Sequence, residues 1–102
     1  MDGSGSDIAK SEAILSEAMK LVTLYTTDRC SKCVGAKMLL ARRGIGYEEI
    51  NLARDPDGRA ELVGRTGMYT FPQIVIDGET LGGYEELLSA DRQGRLSELV
   101  AA

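Results

Sequence analysis

An apolar, β-branched run, Leu21-Val22-Thr23-Leu24-Tyr25, stops a few residues before the chain's two cysteines, Cys30 and Cys33. A helical pattern from Val34 to Arg43 begins directly after them. This junction constrains the fold more than any other stretch. A run without polar alternation predicts a central strand over Leu21–Thr26, covered on both faces. Asp28 to Cys30 are then the turn, and Ser31 or Lys32 to Arg43 is a helix. Val34, Met38 and Ala41 mark its inward stripe, widened by Leu39 and Leu40. Arg42 and Arg43 suit the negative end of that helix, and Gly44 stops it. A cysteine at the head of the helix meets unpaired backbone N–H groups and the positive end of the macrodipole. Both favour the thiolate, the nucleophilic form of cysteine.

The elements that follow alternate. Tyr47–Leu52 is a second strand. Asp55 caps, and Pro56 opens, a helix to about Gly64, which Gly58 weakens. Gly64 to Thr70 is a loop. Gln73–Ile76 and Glu79–Leu81 are strands, and Asp77-Gly78 between them is a strong hairpin signal. Gly82-Gly83 precedes a helix from Tyr84 to about Ser89. After a break at Asp91–Gly94, a last helix carries Leu96, Leu99 and Val100. The first strand–helix–strand unit should be parallel with a right-handed crossover, and the hairpin adds an antiparallel pair. The expected architecture is α/β, a mixed four-stranded sheet with helices on both faces. Upstream, residues 1–6 are rich in Gly and Ser, and Asp7–Lys20 is expected to be a helix capped by Ser6 or Asp7. Its Ile8, Leu15, Ala18 and Met19 lie near one face. This divides the chain into a tail and helical extension, 1–20, and one domain, 21–102.

Composition narrows the chemistry. With 102 residues, 43% hydrophobic and 27% charged, the chain suits one soluble domain with a modest core. Its net charge of −4 argues against nucleic acid, whose phosphates need clustered Lys and Arg. No apolar run approaches the roughly 20 residues of a membrane helix. Met1–Ser6 lacks the features of a signal peptide, so a cytoplasmic location is expected. There is no histidine, hence no Cys-His or Ser-His pair and no imidazole metal ligand. Two cysteines cannot build a four-cysteine zinc site. In a reducing compartment, a Cys-x-x-Cys opening a helix of a βαβ unit points to redox chemistry. Cys30 comes first and should be the more exposed, so it attacks, while Cys33 lies a turn further in and resolves. Arg29 and Lys32 add positive charge that lowers the Cys30 pKa, and Asp28 opposes them.

Two further signals lie downstream. In Thr70-Phe71-Pro72 a proline precedes a strand, where its missing donor is tolerated. Gly82-Gly83 leaves backbone N–H groups open to a carboxylate at a helix start, or is a plain turn. Taken together, the residues resemble the glutaredoxins, of the small bacterial kind. The resemblance rests on Tyr25 to Cys33, Arg65-Thr66-Gly67, Thr70-Phe71-Pro72-Gln73-Ile74, Ile76-Asp77-Gly78 and Leu81-Gly82-Gly83-Tyr84-Glu85-Glu86-Leu87. It implies the thioredoxin fold, a cis-proline at Pro72 beside the dithiol, and catalysis by Cys30 and Cys33. It implies no tightly bound cofactor, with glutathione as reductant. The implied glutathione set is Lys32, Phe71, Pro72, Gly83, Tyr84, Glu85 and Glu86. In that set the Phe71 backbone pairs with the glutathione cysteine. The Tyr84 and Glu85 N–H groups hold the glutamyl carboxylate, and Glu86 takes the glutamyl amine. The implied partners are glutathione and proteins carrying disulfides or glutathionylated cysteines, acting on a monomer.

The family's usual Cys-Pro-Tyr-Cys is Cys30-Ser31-Lys32-Cys33 here. Lys32 replaces the tyrosine that flanks glutathione, Thr27 stands where a lysine is common, and Tyr84 where a small residue or cysteine is usual. Ser31 resembles the serine of members that share a [2Fe–2S] cluster between two chains, ligated by each Cys30 and two glutathiones. That reading, and a redoxin reduced by thioredoxin reductase, stand as alternatives.

Overall fold

The structure is a computed structural model and describes residues 19–101. Strand β1 (Val22–Thr26) buries Val22, Leu24 and Thr26 and leaves Thr23 and Tyr25 half-buried. The strand therefore alternates, contrary to the expectation of equal cover on both faces. Its apolar sequence hides this, because Tyr25 meets a helix that covers its face incompletely. Helix α1 (Ser31–Arg42) corrects the second expectation. Its buried residues are Cys33, Ala36, Leu39 and Leu40, whereas Val34 and Met38 are 51% and 57% exposed. The inward face follows Cys33, Ala36 and Leu40, spaced three and four residues apart. Two of these are small and let the helix approach the sheet, so the bulkier Val34, Met38 stripe misplaces the face by part of a turn.

Strand β2 (Glu48–Asn51) runs parallel to β1, pairing Thr23 with Glu48 and Thr26 with Asn51. Helix α2 (Pro56–Thr66) starts where the Asp55 carboxylate accepts the Gly58 N–H at 2.9 Å. It continues past Gly64 to Gly67, which takes the left-handed conformation at φ 74° and donates its N–H to Val63. Strands β3 (Gln73–Ile76) and β4 (Glu79–Gly82) form the hairpin. Asp77 and Gly78 both have positive φ, 52° and 86°, as the tight primed turn requires. β3 is antiparallel to β1, and the sheet order is β2-β1-β3-β4. Helix α3 (Tyr84–Arg92) is a turn longer than expected, and α4 (Leu96–Val100) closes the fold.

Val22, Leu24, Ile74 and Ile76 from the sheet meet Ala36, Leu39 and Leu40 of α1, Leu87 and Ala90 of α3, and Leu96 and Val100 of α4. α2 covers the other face, where Arg65 reaches the Tyr25 hydroxyl and Thr66 reaches Gln73. This is the thioredoxin-like arrangement. The helix expected over Asp7–Lys20 falls outside the described residues up to 18. At its end the chain is not helical: Met19 bridges Ala101, and the Lys20 N–H donates to the Val100 carbonyl at 2.7 Å. No helix among the described residues is long and apolar enough to cross a membrane.

Just past α1, Arg43 forks onto Asp91 of α3, Nε to Oδ1 at 2.7 Å and Nη2 to Oδ2 at 3.0 Å. The hydrogen bond from Arg43, with its charge, holds the Asp91 carboxyl below its ordinary pKa. A depressed carboxyl pKa stabilises the fold above the unfolded-state value, near pH 4, and that support is lost as pH falls through the folded value. Asp91→Asn should therefore lower the thermal midpoint at pH 6, and the deficit should shrink at pH 3. A deficit of equal size at both pH values in scanning calorimetry would contradict an electrostatic role.

Candidate active site

The strand-to-helix turn delivers the dithiol. Asn51 donates to the Asp28 carboxylate at 3.2 Å, and Arg29 takes a positive φ of 54°, turning the chain into α1. Cys30 is the N-cap, with φ −122° and ψ 99°. Its sulfur accepts the Cys33 N–H at 3.1 Å, where a hydroxyl or carboxylate usually serves. Cys30 and Cys33 are joined as a disulfide with Cα atoms 5.2 Å apart. Cys33 is 2% exposed and Cys30 is half-buried, the order of exposure expected from their positions. Lys32 places Nζ 2.9 Å from Glu85 Oε2.

The Phe71–Pro72 peptide is cis, and the Phe71 carbonyl oxygen lies 3.8 Å from Cys30 Sγ. A disulfide sulfur carries no proton, so in this oxidised form the two atoms are neighbours rather than a hydrogen-bonded pair. What fixes the loop is Gln73, which is fully buried. Its Nε2 donates to the Met68 and Thr70 carbonyls at 2.9 and 3.1 Å, and its Oε1 accepts from the Thr66 hydroxyl at 2.9 Å. Every arm of the amide is thus matched. The sequence reading treats Gln73 as one more strand residue. The available signal is a long amide at the first position of an otherwise apolar strand, which must find partners when buried. Gln73→Leu should lower unfolding free energy by about 1–3 kcal/mol, read from the urea midpoint, because it strips partners from these groups.

The double glycine abuts this loop. A methyl group on Gly83 would sit 3.4 Å from the Pro72 carbonyl oxygen. Gly83 is the N-cap of α3, and its N–H donates to Glu86 Oε1 at 2.7 Å. Glu86 therefore caps its own helix with the carboxylate that the resemblance assigns to the glutamyl amine. The first-turn N–H groups of Tyr84 and Glu85 have no partner one helical turn back. The Tyr84 side chain crosses to α1, where a methyl on Gly35 would lie 2.9 Å from its hydroxyl oxygen. Gly35 is a site neighbour that sequence reasoning missed, because the match between two positions 49 apart leaves no local pattern.

The structure thus makes neighbours of Cys30 and Cys33, Cys30 and Phe71, and Pro72 and Gly83, with Lys32 joined to Glu85 and Tyr84 laid over Gly35. A cavity of about 440 Å³ lined by residues including Met19, Ile45, Leu96 and Val100 lies at the opposite end of β1 and contains none of them. The half-exposed Cys30 lies at the surface, away from this cavity. Among the described residues no group of three or more His, Cys, Asp or Glu side chains is placed to hold a metal ion.

A family model described as glutaredoxin matches residues 22–81. The chain is 40% identical over 84 residues to a glutaredoxin of Pseudomonas aeruginosa, covering 82% of this chain and all of that one. Among solved structures it resembles the glutaredoxin of Brucella melitensis, at 39% identity and a TM-score of 0.75, over 82% of this chain and 91% of that one. It also resembles buckwheat glutaredoxin in a glutathione complex, at 25% identity and a TM-score of 0.73, over 91% and 86%.

Proposed function

The chain belongs to the glutaredoxin family, and on that premise we propose that it is a glutathione-dependent thiol–disulfide oxidoreductase. Its substrates in this reading are protein disulfides and protein–glutathione mixed disulfides. The observation that carries the reading is the half-exposed Cys30 capping α1 beside Phe71–Pro72, with Cys33 closed off behind it.

The Cys30 thiolate attacks one sulfur of the substrate disulfide and expels the other as a thiolate. On a protein disulfide, Cys33 then displaces the substrate, leaving the Cys30–Cys33 disulfide and a reduced protein. One glutathione thiolate opens that disulfide and forms a mixed disulfide with Cys30, a second attacks the sulfur of the bound glutathione and expels the Cys30 thiolate, and glutathione disulfide leaves with the two electrons accounted for. The chain's own contribution is the Cys33 N–H and the start of α1, which favour negative charge on Cys30 Sγ. The glutathione contacts in this reading are Lys32, the Phe71 backbone, Pro72, Gly83, the N–H groups of Tyr84 and Glu85, and Glu86. The glutathione complex of the buckwheat neighbour supports this choice of ligand. A cytoplasmic monomer without a tightly bound cofactor completes the reading.

The test supplies the oxidised protein with either glutathione and its reductase or thioredoxin reductase, following consumption of the nicotinamide reductant. Turnover with glutathione that exceeds turnover with thioredoxin reductase is expected. The reverse order would replace this reading with the thioredoxin-linked one.

A further inference from the structure

Lys32 sits in the first turn of α1, where the helix macrodipole disfavours a cation. Its place is explained by the neighbouring helix rather than by its own. Its Nζ lies 2.9 Å from the carboxylate of Glu85, in the first turn of α3, where the dipole favours an anion. One turn further along α1, the Tyr84 ring rests on Gly35, so the first turn of α3 touches α1 at two successive points. Both charged side chains remain open to solution, with 57% and 66% of their surfaces exposed.

Resting on the reading that Cys30 is the attacking sulfur, we infer that the Lys32–Glu85 pair is an electrostatic latch between α1 and α3. An anionic partner must open it, and it sets the preference of the dithiol between anionic and neutral disulfides. An exposed pair of this kind is weak, so a carboxylate on the substrate can take Lys32 from Glu85 at small cost. Lys32 follows Cys30 by two residues, which puts the released ammonium beside the reacting sulfur's own helix turn. The hydrogen bond from Lys32 is the main cause that keeps the Glu85 carboxyl below its ordinary pKa. The latch is therefore charged and closed at neutral pH. A neutral disulfide has nothing to exchange for Glu85 and gains nothing from Lys32. The pair thus acts as a specificity determinant through charge alone.

The test needs no glutathione, so its failure is distinct from failure of the proposed reductant. The full chain is reduced, freed of reductant and mixed with one of two disulfide probes. One is an aromatic disulfide bearing a carboxylate on each ring, and the other is bis(2-hydroxyethyl) disulfide. In each reaction the dithiol gives up two electrons, the Cys30–Cys33 disulfide forms, and the probe leaves as two thiols. Glu85→Gln is expected to raise the anionic-to-neutral rate ratio by about two- to fivefold, the range of an exposed pair. Lys32→Gln should lower the ratio. In the Lys32→Gln background, Glu85→Gln should leave the ratio where it is, since the partner it released is gone. An equal rise in both backgrounds would mean that Glu85 merely repels anions, and would overturn the latch. No rise in either background would overturn it as well.

Discussion

Cys30→Ser is expected to reduce glutathione-linked turnover of a small mixed disulfide to the uncatalysed rate, a loss of at least roughly a hundredfold. A serine hydroxyl stays un-ionised at neutral pH, and neither the α1 terminus nor the Cys33 N–H can make it a competent nucleophile unaided by a base. Histidine is absent from the chain, so no imidazole is at hand to supply one. Cys33→Ser should behave differently. Attack on a glutathione mixed disulfide uses one thiol, so that variant should keep a measurable part of the mixed-disulfide activity and lose reduction of protein disulfides. Complete loss of both activities in Cys33→Ser would reverse the assignment of roles. The burial of Cys33 at 2% exposure argues for the assignment as given, since a substrate sulfur must reach the attacking atom.

The second large effect is structural and sits at Gly82. Its φ of 133° is open to glycine and strained for other residues. A methyl group there would come within 2.6 Å of Glu86 Cγ and 2.9 Å of its Cβ. Gly82→Ala should therefore lose both the backbone fit, about 1–3 kcal/mol, and some or all of the Glu86 cap on Gly83, about 0.5–2 kcal/mol. The expected sum is about 1.5–5 kcal/mol, a fall of roughly 1 M or more in the urea midpoint. Gly83→Ala is the control. A methyl at Gly83 meets neighbours at 3.4 Å and beyond, and its φ of −99° suits any residue. That variant should stay within about 1 kcal/mol of the parent. Equal losses at the two glycines would show that the close approach of Glu86 does not govern this turn.

The elements that were legible in the sequence are those decided locally. Asp55-Pro56 announced a helix start, and Asp77-Gly78 a hairpin, because capping and positive φ depend on the residues at the spot. The strand–helix–strand order, the dithiol at a helix head and the proline before β3 follow from similarly short signals. What stayed hidden depends on distant partners. The inward face of α1 is chosen by how closely Cys33 and Ala36 let it approach the sheet, and small residues weigh little in a hydrophobic pattern. The half-cover of Tyr25 depends on where α2 lands. Gln73 gains its importance from Met68, Thr70 and Thr66, and Gly35 from Tyr84, none of which a periodicity can reveal. The ion-pair partner of Lys32 is hidden in the same way, because Glu85 lies 53 residues away. A long flexible side chain at a helix head reaches whichever opposite charge the tertiary fold brings near, and here that is Glu85.

The bridge between Met19 and Ala101 has a consequence for how the domain could be rebuilt. The two ends of the folded unit meet at one end of β1, while the dithiol stands beyond its other end. Backbone connectivity is therefore free to be rerouted without touching the dithiol. A short linker joining the region of Met19 to that of Ala101, with new ends opened at the exposed Asp77-Gly78 turn, would yield a circular permutant with the same sheet order. In it Phe71 and Pro72 would come near the end of the chain and Cys30 would still precede them, their contact untouched by the cut.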